Sequence, residues 1–164
     1  MIPLNYQFSY RRYLPHFQPP EATLFITFRL AGSLPKSVLA ELNKETKRMN
    51  DALNRITDPV EQKRWAERTY RRQFGLWDRA LDTADVGPRY LQQPAVANIV
   101  SDCLRGLDGR FFNLFAFCIM PNHVHLVCKP LARGDGSYYS LAKILHSLKR
   151  HTASLANKLL SRKG

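Results

Sequence analysis

The sequence has few acidic residues and no long apolar run. Its 164 residues include 13 Asp and Glu against 25 Lys and Arg, which gives a formal net charge of +12 and an isoelectric point near 10.0. No apolar stretch approaches the length of a membrane span, and the N-terminus has no signal-peptide core, so we expect a cytoplasmic protein. The excess of positive charge predicts nucleic acid as a partner ahead of an anionic membrane surface.

Cysteine is scarce as well. Cys103, Cys118 and Cys128 are an odd number without C-x-x-C spacing, which argues against a disulfide framework and against a zinc knuckle. Buried free thiols in a reducing compartment are the preferred interpretation. The hydrophobic content of 45% and the aromatic content of 11% are sufficient for one domain with a substantial core.

Hydrophobic periodicity predicts four helices and three strands. Asp58-Pro59 supplies an N-cap and a proline at the first helical position. The short turn formed by Met120, Pro121 and Asn122 can join antiparallel strands but not parallel ones. The predicted strands are 22–30, 111–119 and 123–129, and the predicted helices are 36–53, 59–81, 91–107 and 137–160.

The helix predicted over 59–81 has one stripe of mostly apolar residues that should face the core. Arginines occupy much of the remaining surface, and a solvated helix face is the preferred interpretation of them. The expected core stripe consists of Ala66, Tyr70, Phe74, Trp77 and Leu81.

Two segments carry the residues that we expect to contact DNA. The N-terminal arm, residues 1–21, interleaves aromatic residues with basic ones, which suits stacking on unpaired bases; packing of the arm on the domain surface is an equal alternative. The last helix has no acidic residue on its polar face, which favours contact with a phosphate backbone. The predicted DNA-binding residues are Arg11, Arg12, His16, Lys143, Lys149 and Arg150.

Two histidines open the last predicted strand. Because successive side chains of a strand point to opposite faces, His123 and His125 should project to one side, with Val124 and Leu126 directed towards the core. Two imidazoles side by side can share a divalent cation. The H-x-H pattern alone is weak, since it recurs by chance.

The octapeptide Met-Pro-Asn-His-Val-His-Leu-Val, residues 120–127, closely resembles the histidine-hydrophobic-histidine (HUH) motif of the single-tyrosine transposases. It is most similar to that of the REP-associated tyrosine transposases. Residues 14–30 resemble the opening strand of that family, and residues 140–149 resemble the helix after its motif. The resemblance implies a single HUH transposase-like domain over 22–164, with an α+β, ferredoxin-like βαββαβ fold and an antiparallel sheet.

The resemblance also implies a reaction. Mg²⁺ or Mn²⁺, held by the positions of His123 and His125, polarises the scissile phosphate of single-stranded DNA that carries a REP-like hairpin. A tyrosine attacks the phosphorus, forms a covalent 5′-phosphotyrosine and releases a 3′-hydroxyl, and rejoining to another end completes strand transfer. The family suggests a monomer or a homodimer.

The sequence departs from the family pattern after the last helix. In the family a further strand and a tyrosine-bearing helix follow, and neither is found before Gly164. We therefore predict no catalytic residue, an inactive or incomplete enzyme, and an unpaired sheet edge where the fourth strand is missing. Tyr138 and Tyr139 do not match the catalytic position.

Two alternatives to a cleaving transposase stay open. One is a protein that recognises hairpin DNA but does not cut it. The other is a zinc metallohydrolase that uses the same H-x-H pair, with a third ligand from His146 or His151 on the following helix.

Overall fold

The computed structural model describes residues 9–11, 15–17 and 21–162. Over these residues the protein is a mixture of helix and antiparallel sheet, which agrees with the α+β prediction. The described chain divides into two compact units. Residues up to Arg29 and from Arg89 onward form the sheet unit, and Leu30–Pro88 form the hairpin unit. The division 1–21 and 22–164 stays a prediction.

The sheet unit contains all five strands of the described chain. β1 (Ser9–Arg11) and β2 (Pro15–Phe17) pair with each other in an antiparallel ribbon. β3 (Leu24–Arg29), β4 (Phe112–Ile119) and β5 (His123–Pro130) form an antiparallel sheet in the order β3-β5-β4. The three strands predicted from the sequence are therefore confirmed within two residues at each end.

The four helices follow the predicted pattern with two corrected starts. α1 spans Lys36–Asn54, α2 spans Pro59–Asp82, α3 spans Pro94–Leu107 and α4 spans Leu141–Leu159. α3 begins later than predicted because Tyr90–Gln92 form a separate 3₁₀ turn. Within the described residues, no helix combines the length and the apolar character that a bilayer crossing requires.

The late start of α4 has a local cause. The side chain of Ser140 caps the helix by accepting a hydrogen bond from the Lys143 N–H at 3.3 Å. The preceding residues bond elsewhere: the Ser137 N–H donates to Asp135 Oδ1 at 3.0 Å, and Tyr138 forms an isolated bridge with Ala132. The helix predicted from residue 137 therefore begins at Leu141.

The core of the sheet unit lies on one face of the sheet. Val124, Leu126 and Cys128 alternate along β5 and are fully buried, which confirms the prediction for the first two. Ile144 and Leu148 of α4 are also fully buried, and α4 packs against α3. We call this side of the sheet the core face.

Contacts at both edges of the sheet show that α3 and α4 lie on the core face. Phe28 pairs with Val124, and the Nζ atom of Lys149 on α4 lies 5.9 Å from the Phe28 ring centroid. Phe117 pairs with Leu126, and the Cζ atom of Arg105 on α3 lies 5.8 Å from the Phe117 ring centroid. Because directly opposed residues share a face, His123 and His125 project to the other side, which we call the histidine face.

The hairpin unit consists of α1 and α2 packed against each other. The Asp58 side chain caps α2, as predicted, by accepting from the N–H groups of Val60 and Glu61 at 3.4 and 3.1 Å. The two ends of the unit meet, because a Cβ atom added at Gly87, where φ is +95°, would lie 2.5 Å from the Gly32 carbonyl oxygen.

The face that α2 buries differs from the predicted stripe. Leu81 is buried, but Tyr70 and Phe74 are 38% and 39% exposed, and Thr69 and Gln73 are buried instead. Hydrogen bonds to α1 explain the difference. Two of them join the helices: Gln73 Nε2 donates to Asn50 Oδ1 at 3.0 Å, and Trp77 Nε1 donates to Thr46 Oγ1 at 3.3 Å.

Candidate metal centre

The turn before β5 fixes the start of the strand that carries the histidines. The Met120 N–H donates to the His123 carbonyl at 2.9 Å, and the Pro121 carbonyl accepts from the Leu91 N–H at 3.2 Å. The strand then places both imidazoles on the histidine face. Their Nε2 atoms lie 3.0 Å apart, with the rings nearly perpendicular at 82°.

Asn122 sets the tautomer of the first histidine. Its Oδ1 atom, which can only accept a hydrogen bond, lies 2.7 Å from Nδ1 of His123, so that Nδ1 carries the proton. In the neutral imidazole the Nε2 atom then presents its lone pair towards His125. His123 is fully buried and Asn122 is 5% exposed, which holds this arrangement in place.

Thr27 forms a hydrogen bond with the second histidine, and this bond does not fix the position of the histidine's proton. Its Oγ1 atom lies 2.9 Å from Nδ1 of His125. A hydroxyl can donate or accept, so His125 can hold its proton on either nitrogen. With the proton on Nε2, His125 donates a hydrogen bond to Nε2 of His123. With the proton on Nδ1, His125 donates to Thr27 instead, and the Nε2 lone pairs of both histidines then point into the space between the two rings.

The spacing of the two Nε2 atoms suits a divalent metal ion. Two adjacent ligands of an octahedral ion at about 2.1 Å are roughly 3.0 Å apart, whereas two ligands of a tetrahedral zinc ion are about 3.4 Å apart. The observed 3.0 Å is the length of an N–H···N hydrogen bond and lies close to both spacings, so the two Nε2 atoms are near enough to share one ion, whose identity the spacing does not select. His123 and His125 could therefore hold a metal ion between them.

The sheet unit places one basic residue and two exposed side chains beside the pair on the histidine face. Arg29 lies directly opposite His123 on β3, and burial lowers the pKa of its guanidinium. Phe25 is 56% exposed, and its ring centroid lies 5.4 Å from that of His125. Cys118 of β4 lies opposite His125 and is also exposed.

The predicted DNA-binding residues do not gather at the histidine pair. Lys143, Lys149 and Arg150 are exposed on α4, which covers the core face. Lys143 and Arg150 are two turns apart on one side of the helix, while Lys149 lies over Phe28. The backbones of Arg11 and His16 lie in β1 and β2, but their side chains, like the whole of Arg12, are outside the described residues.

Tyr138 and Tyr139 contact other parts of the sheet unit. The Tyr138 hydroxyl donates to Glu21 Oε1 at 3.3 Å, and loss of hydration together with the Glu21 charge raises the pKa of Tyr138. The Tyr139 ring packs on Phe111, with centroids 4.8 Å apart. A raised pKa makes the phenolate harder to form, which disfavours Tyr138 as a nucleophile.

The histidines proposed as a third zinc ligand lie elsewhere. His146 and His151 are exposed on α4, whereas His123 and His125 project from the opposite face of the sheet. Among the described residues, neither of them joins the pair.

Two supporting residues were given no role by the sequence analysis. Asn122 is adjacent to His123 in the motif, so its position was a usable signal. Thr27 reaches His125 only through the pairing of β3 with β5, which the sequence does not reveal. Comparisons with models of protein families, with curated proteins and with solved structures found no match.

Proposed function

We propose that the protein binds single-stranded or hairpin DNA through a divalent metal ion held by His123 and His125, in the manner of the single-tyrosine transposases. The observation that carries the proposal is the 3.0 Å spacing of the two Nε2 atoms, with Asn122 keeping the proton of His123 on Nδ1 and Thr27 compatible with either tautomer of His125. A metal ion bound there supplies a positive charge that polarises a DNA phosphate.

The residues around the pair have roles that follow from their chemistry. Asn122 would keep the Nε2 lone pair of His123 directed at the metal position, and the Thr27 hydroxyl would accept a hydrogen bond from Nδ1–H of His125 when that nitrogen carries the proton. Arg29, opposite His123, offers a guanidinium suited to a phosphate oxygen. Together they would hold one phosphodiester at the histidine pair.

The distribution of charge supports a nucleic acid partner. Fourteen of the 25 basic residues but only four of the 13 acidic residues belong to the sequence segments of the sheet unit. The sequence segments of the sheet unit therefore carry a net charge of +10, and those of the hairpin unit carry +2. The positive charge is thus concentrated in the unit that carries the histidines, as expected for a surface that attracts phosphates.

The strand order supports the ferredoxin-like part of the proposal. β3 and β4 are both antiparallel to β5, so they run parallel to each other with β5 between them. This is the split arrangement of a ferredoxin-like sheet. A fourth strand of that fold would pair with the outer edge of β3, and within the described chain β3 pairs only with β5.

The chemistry of the described residues favours binding over cleavage. The two tyrosines next to the basic helix have other contacts: Tyr138 donates a hydrogen bond to Glu21, and Tyr139 packs on Phe111. We therefore propose a hairpin-DNA-binding protein of transposase type that forms no covalent adduct through either tyrosine.

The test uses a labelled single-stranded hairpin DNA with and without Mn²⁺. We expect fluorescence anisotropy to show binding that Mn²⁺ strengthens, and a denaturing gel to show no protein–DNA adduct. An adduct would contradict the binding-only proposal and identify a nucleophile by peptide mapping. The gel and the binding curve therefore separate the two activities.

Metal binding is measured separately by calorimetry. His123→Ala and His125→Ala should each lose Mn²⁺ binding, whereas His146→Ala, which removes an exposed imidazole of α4, should retain it. Circular dichroism confirms that each variant is folded. Unchanged Mn²⁺ affinity in both strand variants would refute the metal assignment.

A further inference from the structure

We propose that Phe25 is a stacking platform for an unpaired nucleobase beside the histidine pair. The inference rests on the proposed function, because it assigns the position of one base relative to the phosphate held at the histidines. Phe25 is 56% exposed on the histidine face, and its ring lies 5.4 Å from that of His125 at an angle of 36°. An exposed aromatic ring is the group on which a base of any sequence can stack.

The position of Phe25 follows from the register of the sheet. Phe25 pairs with Val127, and Thr27, two residues further along β3, pairs with His125. Residues two apart on a strand share a face, so the ring stands next to the Thr27–His125 pair. A nucleotide with its phosphate at His125 would have its base within reach of Phe25.

Positive charges continue along both strands on the same face. Arg29 follows Thr27 on β3, and Lys129 follows Val127 on β5, with one intervening residue in each case. Arg29, which is level with His123, and Lys129 therefore lie on either side of Phe25 and His125 along the strand direction. An aromatic ring between cations is the arrangement by which proteins bind a single strand, with phosphates on the charges and a base on the ring.

Phe115 provides a matched control on the opposite edge of the sheet. It is 59% exposed and belongs to β4, at the bulge where the register shifts between Leu114 and Ala116. Its exposed area resembles that of Phe25, but the central strand β5 separates it from β3. A general effect of exposed aromatic surface should affect both residues, whereas base stacking beside the histidines should depend on Phe25.

The first experiment measures the affinity of the whole protein for fluorescein-labelled oligodeoxythymidine by anisotropy. Phe25→Ala should weaken binding about tenfold, because stacking on one base contributes roughly 1–3 kcal/mol by alanine substitution. Phe25→Trp should restore the affinity, and Phe115→Ala should leave it within about twofold of the original protein. Equal losses in Phe25→Ala and Phe115→Ala, or no loss in Phe25→Ala, would overturn the inference.

The second experiment uses the labelled hairpin DNA, whose duplex fixes the register, and moves a single abasic site along its single-stranded part. In the original protein one position should weaken binding about tenfold, and in Phe25→Ala that position should have no further effect, since the ring and the base form one contact. If the abasic site and Phe25→Ala weakened binding independently, so that their effects on the binding free energy added, the inference would be overturned.

Calorimetry with Mn²⁺ separates stacking from support of the metal site. Phe25→Ala should bind Mn²⁺ as the original protein does, and a lost metal affinity would show that the ring only packs against His125. Failure of the original protein to bind both the oligonucleotide and the labelled hairpin DNA would refute the proposed function itself, whereas binding of the hairpin alone would refute only the stacking inference. Normal binding that is insensitive to Phe25→Ala would refute only the stacking inference.

Discussion

At the scale of single residues, Asn122 shows how a neutral side chain can determine whether a histidine is ready to bind a metal. An imidazole presents Nε2 as a ligand only when its proton is on Nδ1. Asn122 Oδ1 lies 2.7 Å from that nitrogen and is itself buried. Removing the amide takes from the fully buried His123 the oxygen that holds the proton on Nδ1.

Asn122→Ala should therefore lower the Mn²⁺ affinity by about 10- to 100-fold, the range typical for the loss of a residue that orients a metal-binding histidine. Calorimetry measures the affinity. Asn113→Ala is the matched control, because Asn113 is an exposed asparagine of β4 opposite Lys129. Equal affinities for the original protein and Asn122→Ala would show that the amide does not set the tautomer.

Cys128 gives a prediction for the pH dependence of stability. Burial raises the pKa of its thiol from an ordinary value of 9.0 to about 11. The folded protein keeps this proton where the unfolded chain loses it, so the contribution to stability is complete below pH 9 and falls between pH 9 and pH 11. Urea denaturation measures the free energy of unfolding at pH 8 and at pH 10.5. This free energy should fall less between the two pH values in Cys128→Val than in the original protein. An equal fall in the free energy of unfolding in both proteins would contradict the raised pKa of the Cys128 thiol.

At the scale of elements, the beginning of α2 shows what a sequence signal can specify. Asp58-Pro59 predicts the helix start, and the Asp58 carboxylate accepts from two N–H groups of the first turn. Asp58→Ala should lower the free energy of unfolding by about 1 kcal/mol, the usual value of an N-cap. Asp51→Ala, at an exposed position near the end of α1, is the control. A larger loss in the control would refute the capping role.

The limits of sequence analysis are clear in the same helix and in the sheet. Caps, prolines and apolar runs predict the strands and the starts of α1 and α2, because these signals act locally, whereas the starts of α3 and α4 are predicted too early. The predicted buried face of α2 is wrong because it omits two polar residues, Thr69 and Gln73, that are buried, and the burial of Gln73 depends on its hydrogen bond to Asn50 in α1. Thr27 was missed for a similar reason: its contact with His125 exists only once β3 pairs with β5. Local sequence patterns do not specify which distant elements pair, so contacts between elements could not be predicted from them.

At the scale of the whole molecule, charge should govern the salt dependence of DNA binding. Lys143 and Arg150 are exposed on one side of α4, in the unit that carries most of the positive charge. If each contacts a phosphate of a single strand, each alanine variant should reduce the slope of log K against log salt by about 0.7. Binding titrations at several salt concentrations measure the slope. Lys44→Ala, an exposed position of α1, should leave it unchanged.

An unchanged slope in Lys143→Ala and Arg150→Ala would place the phosphate contacts on the histidine face alone. The two surfaces are distinguishable because α4 lies on the core face and the histidines project from the other. The salt series and the Phe25 series therefore report on different parts of the sheet unit.

The close approach of Gly32 and Gly87 has a consequence for the kinetics of folding. His123 follows Arg29 by 94 residues, yet the two are direct partners in the sheet. Once α1 and α2 have formed and their ends have met, 55 of those residues no longer lengthen the loop that must close. The shorter loop lowers the free-energy cost of loop closure by about 0.8 kcal/mol, which corresponds to a roughly fourfold faster rate. A bulky residue at position 87 should slow refolding of the sheet by up to that factor, so a glycine of the hairpin unit would set how quickly β3 and β5 come together.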